Sequence, residues 1–183
     1  MPAYVDITNC DHTEWKDVRE AVAAVIALVC PNARIHSEWV LEFDTSTGLG
    51  RTTTLLRAES GPDAGKVHAW IVGFNSIALE RGDTGDFEYV GGAKFHYDLM
   101  LDVWGFFDYA GLENAWTMAE TEARLIVAAI FRNLTLGTEN KFIVRAEPPD
   151  FQQGDVVPFS EGENLIVMQG LMRVRILEEL FIP

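Results

Sequence analysis

The side chains best suited to chemistry form two sets in which histidine and carboxylates alternate along a predicted strand. His96, Asp98 and Asp102 share one face, because side chains two residues apart in a strand point the same way. If a neighbouring strand supplied a similar set, imidazoles and carboxylates would meet around a divalent metal, and metal-assisted hydrolysis would be one alternative function. The competing interpretation is the solvated face of a half-exposed sheet. The second set with this layout is His36, Glu38 and Glu42.

No recognised nucleophile, metal or phosphate motif accompanies these sets. The chain has no H-E-x-x-H, C-x-x-C or G-x-S-x-G pattern, and Gly48-Leu49-Gly50 is not followed by the lysine of a phosphate-binding loop. Cys30 ends an apolar helical stripe, which is typical of a buried, inert thiol. A disulfide with Cys10 stays open on count alone, although two reduced thiols are favoured. We therefore predict no catalytic residue, no metal ligand and no cofactor.

The acidic, glycine-rich segment 80–92 is predicted to be an extended loop or hairpin tip. Its carboxylates Asp83, Asp86 and Glu88 are either solvated or in contact with a partner. Trp104 and Phe106 fall on the otherwise polar side of a predicted strand. Exposed aromatic residues there would mark a contact surface, and the alternative is a second covered face of the sheet.

Composition narrows the classes of partner. The chain has 183 residues, with 14 basic side chains against 28 acidic ones and a formal net charge of −14. Phosphate affinity depends on clustered Lys and Arg, so this balance opposes gripping of nucleic acid, and it equally opposes binding to an anionic membrane. No apolar run is long enough to span a bilayer, and the first residues do not resemble a signal peptide, so synthesis in a cytoplasm without membrane association is expected.

The periodicities predict one α+β domain over residues 1–183, with a mostly antiparallel sheet of long strands packed by two amphipathic helices. The helices are predicted over Thr13–Cys30 and Leu112–Leu134. The segments Ile35–Phe43, Arg51–Ala58 and Lys66–Leu79 are interpreted as an antiparallel meander. A long alternating strand follows at Lys94–Phe107, then a short one at Phe142–Ala146, a loop at Glu147–Pro158 and a closing strand at Asn164–Leu180 with a bulge expected at Gly170.

The length of these strands bears on assembly. A strand covering Lys94–Phe107 spans about 46 Å at about 3.3 Å per residue. A compact chain of this size has a diameter of about 40 Å. Strands that cross the whole domain are expected to pair with another subunit, because an exposed strand edge otherwise promotes aggregation.

The order of helix, meander, long strand, long helix and closing strand resembles the tail-terminator and neck proteins of tailed phages, a group that includes the lambda-type minor tail protein. The resemblance rests on the opening helix and on the segments KFHYDLMLDVWGFF, ENAWTMAETEARLIVAAI and NLIVMQGLMRVRILEE. It covers most of the chain in arrangement rather than in a short motif. The meander and the segment 80–92 look like additions to the plainest members.

This resemblance implies a structural virion protein that forms a hexameric ring, caps the tail tube and joins it to the neck or connector. The implied partners are sister copies, the tail tube protein and the connector protein, with DNA passing through the lumen without specific binding. An acidic lumen suits that passage because it repels phosphates. The alternatives are the metal-assisted hydrolase described above and a cytoplasmic α+β binding module that forms a dimer.

Overall fold

Two amphipathic helices lie on one side of a central sheet. The computed structural model describes residues 15–43, 50–51, 54–79, 93–136, 143–152, 154–160 and 163–180. Helix α1 covers Trp15–Val29 and helix α2 covers Ala115–Arg132. Both lie within the predicted ranges and are shorter by a few residues at each end, as expected for helix termini read from periodicity alone.

The main sheet has seven strands in which all pairs but one are antiparallel. The order β1-β4-β5-β9-β6 runs across the sheet, and β7 and β8 pair with other parts of the same edge of β9. The exception is β1, which runs parallel to β4. The two-residue strands β2 and β3 form a separate small ladder. The strands are β1 Arg34–His36, β2 Glu42–Phe43, β3 Gly50–Arg51, β4 His68–Leu79, β5 Ala93–Asp108, β6 Ile143–Ala146, β7 Asp150–Phe151, β8 Asp155–Ser160 and β9 Glu163–Leu180.

The centre of the sheet is a long antiparallel ladder. Strands β5 and β9 pair without interruption from Ala93 opposite Leu180 to Asp108 opposite Leu165. A strand of this length spans about 50 Å. The predicted boundaries of both strands are confirmed to within one residue, because an apolar side chain at nearly every second position over many residues is a strong strand signal.

The helix-covered face holds the larger core. Alternate residues of β5, Tyr97, Leu99, Leu101 and Val103, point into it and are buried. Helix α1 contributes Val18, Val22 and Ile26, and helix α2 contributes Ala119, Ala123, Ile126 and Ile130. The small side chains Ala119 and Ala123 let α2 lie close to the strands. The stripes that predicted the two helices are therefore the surfaces that pack.

Among the described residues, the opposite face is covered at one end. Here a second apolar cluster joins β4, β5, β8 and β9 to the segment around the 3₁₀ turn Thr54–Leu56. Farther along the same face β5 presents Asp98, Met100 and Asp102 beside Arg173 and Arg175 of β9. The covering residues and the residues beneath them are Leu41, Leu56, Val67, Ala69, Ile71, Phe106, Phe159 and Leu165.

The α+β prediction is confirmed, but the predicted meander is wrong. Arg34–His36 runs parallel to β4. Among the described residues of Arg51–Ala58, Arg51 ends β3, Thr54–Leu56 form the 3₁₀ turn, and Arg57 makes an isolated antiparallel bridge to Val67. The apolar residues of this stretch pack against the second face of the sheet. Their spacing resembles that of a strand because of this packing. Part of the predicted loop Glu147–Pro158 pairs with β9 as β7 and β8, with Pro158 on the edge strand, where a missing N–H is tolerated.

Gly170 is not a bulge, because β9 keeps an even register with β5 through this position. A Cβ at Gly170 would lie 2.6 Å from Cδ1 of Phe151, which pairs across from it. The glycine therefore makes room for an aromatic ring above the strand, rather than for an extra residue in it.

Candidate functional site

A buried group of ionisable side chains lies under the helices, where Glu122 of α2 meets His68 at the start of β4. The His68 Nε2 atom is 3.0 Å from Oε1 of Glu122, and its Nδ1 atom is 3.1 Å from Oδ2 of Asp63. The indole Nε1–H of Trp70 donates to Oε2 of Glu122 at 2.7 Å. The Phe107 ring packs against the imidazole at 5.4 Å between ring centroids. We call Cys30, Asp63, His68, Trp70 and Glu122 the buried network.

The surroundings of the His68 imidazole favour its charged form. Burial lowers the pKa of His68, but the hydrogen bonds and negative charges of Glu122 and Asp63 together outweigh it and raise the pKa above the ordinary value. Both ring nitrogens face carboxylates, which only accept, and only the imidazolium donates from both nitrogens at once. His68 is 1% exposed, so the two carboxylates replace the water that it gives up.

The Cys30 thiol is held in its neutral form. Burial, the negative charge of Glu122 and a hydrogen bond to that carboxylate raise the pKa of Cys30 far above its usual range. The thiolate is the reactive form of cysteine, so this side chain is not an activated nucleophile. The prediction of a buried, inert thiol at Cys30 is confirmed.

The buried network ties four elements together. Cys30 follows the last turn of α1, Asp63 lies in the turn before β4, His68 and Trp70 belong to β4, and Glu122 belongs to α2. One carboxylate therefore fixes both helices against the sheet. This arrangement orients packed elements and keeps its reactive groups away from solvent, so its chemical capacity is to position elements rather than to transform a substrate.

Sequence reasoning missed Glu122 and Asp63, although one signal pointed to Glu122. It lies three residues after Ala119 and four before Ile126, both buried, and so falls on the apolar stripe of α2. A carboxylate on a packing stripe requires a buried partner. Asp63 carries no comparable signal, since its segment SGPDAG reads only as a turn.

The two predicted histidine and carboxylate sets do not meet. Strand β4 lies between β1, which carries His36, and β5, which carries His96. The Nε2 atom of His36 lies 2.7 Å from the carbonyl oxygen of Leu55. Within the ranges that the structure describes, no three His, Cys, Asp or Glu side chains are grouped as a metal site would require. His36, Asp98 and Asp102 take part in separate local pairs instead.

Asp98 and Asp102 have separate partners on the second face. Asp98 is buried and accepts a hydrogen bond from Nε of Arg175 at 3.3 Å, while Arg173 Nε lies 3.7 Å from its other oxygen. Asp102 accepts from Nδ2 of Asn75 at 3.1 Å. Arg173 also reaches Glu147 at 3.7 Å, beside a depression of about 320 Å³. The solvated-face interpretation fits Asp102, whereas Asp98 is a paired, buried charge.

The predicted contact surface at Trp104 and Phe106 needs correction. Phe106 is 3% exposed and belongs to the second apolar cluster, so it is covered by its own chain. Trp104 is half-buried; its ring lies 5.8 Å from Trp39 and 6.3 Å from Phe106. The covered-face alternative is therefore the correct one for Phe106, because the segment around Leu41 and Leu56 folds over this end of the sheet.

The third predicted surface, Asp83, Asp86 and Glu88 in the segment 80–92, lies outside the described residues. Its role as a contact with a partner stays a prediction.

Comparison with known proteins adds no family. Neither a scan against protein-family models nor a search of curated proteins finds a match to this chain. In the described part of the chain, neither helix combines the length and the hydropathy that a bilayer-crossing segment needs.

Proposed function

We propose that this chain is a structural subunit of a phage virion, a tail terminator or neck component that forms a ring on the tail tube and joins it to the connector. The observation that carries the proposal is the unbroken β5–β9 ladder with both helices on one of its faces. The ladder is formed by the long strand and the closing strand, two of the elements whose order along the chain resembles that of tail-terminator and neck proteins. A ladder of about 50 Å reaches across the domain and brings strand ends to the periphery, where neighbours meet.

The character of the buried groups supports a structural role. The buried network places His68 between two carboxylates and encloses the Cys30 thiol beneath two helices. Enzymes shift pKa values to make groups reactive at an accessible site. Here the shifts make Cys30 less reactive and enclose His68, which suits a subunit whose task is to keep its shape.

The proposed ring passes DNA without holding it. A net charge of −14 on each copy repels phosphates, so translocating DNA would not be retained. The same charge makes copies repel one another, and ring contacts must therefore come from apolar packing and strand pairing. Closed rotational symmetry is the ordinary outcome when one surface of a subunit binds a different surface of the next.

Electron microscopy of the purified protein, mixed with tail tubes that lack their terminal ring, tests the proposal. We expect six-fold rings at one end of the tubes, with the protein alone serving as the reference. Tubes that stay bare at every protein concentration, together with no ring in the free protein, would contradict it. A single subunit in solution would not, because some rings close only on their partner.

Charge-matched variants would show whether the segment 80–92 meets a partner. We expect Asp83→Asn, Asp86→Asn and Glu88→Gln together to weaken attachment to the tubes. The control is Asp17→Asn, Glu20→Gln and Glu120→Gln, which removes the same charge from exposed helical positions. If both triple variants attached to the tubes equally well, the three carboxylates would be solvated rather than in contact with a partner.

Of the two alternatives, the dimeric binding module has a specific observation in its favour, the open edge of β4 described below. The hydrolase has none: its two proposed ligand sets are separated by β4, and His36, Asp98 and Asp102 have other partners.

A further inference from the structure

One edge of the main sheet is left open along most of a long strand. Strand β1 pairs with β4 only from Ala69 to Ile71. Beyond Ile71, no strand in the described ranges lies on that side of β4, although β5 pairs with its other side as far as Leu79. The backbone groups from Val72 to Leu79 therefore have one open hydrogen-bonding edge.

The side chains of this edge are exposed and apolar. All residues from Phe74 to Ala78 are exposed, including the large side chains of Phe74 at 44% and Ile77 at 40%. The Trp15 indole stacks on the Phe74 ring with 5.3 Å between centroids and is itself well exposed. Trp15, Phe74 and Ile77 thus form an apolar border beside unpaired backbone.

The edge also lacks two of the usual protections against pairing, charged residues and proline. Soluble proteins place charged residues or proline on open edge strands. From Ala69 to Leu79 the sequence AWIVGFNSIAL carries neither, in a chain that has 42 charged side chains, 14 basic and 28 acidic. The one irregularity is a register shift between Phe74 and Ser76.

The opposite edge of the sheet is protected. It consists of the short strands β6, β7 and β8, with Pro148 and Pro149 between the first two and Pro158 inside the third. The backbone N–H of Ala146 in β6 donates to the carbonyl oxygen of Leu134 at 2.7 Å, so the chain after α2 closes part of this edge. An edge interrupted in this way is a poor partner for the long open edge of β4.

We infer that the open edge of β4 binds a second copy of this chain, strand to strand and antiparallel, around a two-fold axis. Two copies at −14 each repel wherever their charged surfaces meet, but this edge brings no charge to the contact. Since the opposite edge is interrupted, the surface that matches β4 in length and in lack of charge is β4 itself. An isologous contact of this kind pairs each residue with its symmetry mate.

Such a contact satisfies the open backbone groups and covers Trp15, Phe74 and Ile77 on both copies. It goes beyond the proposed ring, because a two-fold contact closes on itself and does not propagate around a ring. It is tested on the free protein, without tail tubes, so its failure would leave the ring proposal as it stands.

Single cysteines placed one at a time at each position from Phe74 to Ala78 provide the first test, in a Cys10→Ser background. A two-fold antiparallel pair puts one position opposite its own copy at a Cα separation of about 5 Å, within reach of a disulfide. We expect mild oxidation to give a covalent dimer that is strongest at one position and falls away on both sides. The matched control is Val144→Cys, an exposed strand position on the opposite edge, which should stay monomeric on a denaturing gel.

A lysine substitution provides the second test. We expect Ser76→Lys to raise the dimer dissociation constant at least about tenfold, because it brings like charges together across the axis. Val144→Lys adds the same charge to the opposite edge and should leave the constant unchanged. Sedimentation equilibrium measures both, and circular dichroism confirms that both variants are folded.

A dimer that both tests trace to β4 supports the inference. Two results would overturn it: a wild-type protein that stays monomeric at high micromolar concentration, or cross-linking that is even along the strand or as strong at Val144.

Discussion

The helix-covered face of the sheet is apolar from Phe107 to Tyr97, whereas the opposite face is apolar at one end and charged at the other. Both faces are built from the same strands, and along β5 the second face differs from the first in carrying Asp98 and Asp102 at one end and Trp104 and Phe106 at the other. The two faces also differ in what lies above them. Two helices cover one face, and on the other the segment around Leu41 and Leu56 reaches only as far as Trp104. Coverage, rather than strand pattern, decides which polar residues are buried.

The largest effect is expected from the one carboxylate that α2 inserts into the apolar face. Glu122→Ala removes the partner of His68, Trp70 and Cys30 and leaves a buried imidazolium with Asp63 alone. Breaking a buried ion pair from one side costs about 4 kcal/mol. Urea denaturation would measure the loss in free energy of unfolding.

Glu120→Ala on the same helix is the matched control for Glu122→Ala. Glu120 pairs with Arg124 in solvent, and its loss should change the stability by about 0.5 kcal/mol or less. Equal effects at both positions would show that the buried network does not anchor the helices.

The covered end of the second face should behave as a core. Phe106→Ala is expected to cost about 3 kcal/mol, since its ring is enclosed, and Trp104→Ala about 2 kcal/mol, since its ring is half-exposed. Thermal unfolding of the two variants measures the difference. If Trp104→Ala destabilised the fold more than Phe106→Ala, the segment that covers this end of the sheet would lie over Trp104 instead.

Trp104→Ala also tests the predicted contact surface. The fold should remain intact, and the proposed attachment to tail tubes should weaken if the exposed part of Trp104 meets a neighbour. Attachment at the wild-type level would remove Trp104 from the contact surface.

Substitutions at the charged end of the second face, at Asp98 and Asp102, should destabilise the fold less. Asp98→Asn keeps the shape of a buried side chain but removes the charge that faces Arg173 and Arg175. We expect a loss of about 1.5 kcal/mol, as for a hydrogen bond to a charged group. Asp102→Asn, whose partner is Asn75, should cost less, and similar losses at both positions would mean that burial does not separate them.

The pH dependence of stability tests the helix-covered face without a mutation, because His68 lies beneath the helices. The pKa of His68 is raised in the folded chain, so the folded state holds this proton more tightly than the unfolded state. The stabilisation is complete below the unfolded pKa and is lost as pH rises through the folded pKa. The midpoint of urea denaturation should therefore fall as pH increases from about 6.5, the ordinary pKa of histidine.

The matched variant for this titration is His68→Gln, which removes the titrating group and should abolish the slope. Measurements should stop near pH 8, because ionisation of Cys30 in the unfolded chain adds a fall in the same direction above about pH 8.5. A flat profile between these limits would place His68 in its neutral form.

How far the sequence predicted the structure depended on whether a pattern was local. The stripe of α1 and the alternation of β5 repeat over many residues, and both elements lie where they were expected. Arg51–Ala58 failed because its apolar residues serve a distant surface, so no local period describes them. Pairing partners are also invisible to periodicity, which is why the parallel register of β1 on β4 was missed.

The candidate site was harder to predict than the fold. Histidines and carboxylates on alternating strand positions suggested a metal, but β4 separates the two sets, and strand order is a property of the whole chain. The buried network joins residues 30, 63, 68 and 122 from four elements. Of these residues, only Glu122 could have been recognised from the sequence as part of this network, because it lies on an apolar helical stripe.

The position of β9 in the chain has a consequence for how the protein is made. It pairs with β5 on one side and with β6, β7 and β8 on the other, and every one of these strands leaves the ribosome before it. The nascent chain must therefore carry unpaired strands until residues 163–180 have emerged, since β5 and β9 are separated by more than fifty residues of sequence. Pairing across such a separation is slow and exposes the intermediate to aggregation. A chain truncated before β9 would lack the strand that joins β5 to β6, β7 and β8. The complete sheet can therefore form only in copies that have been translated through residues 163–180.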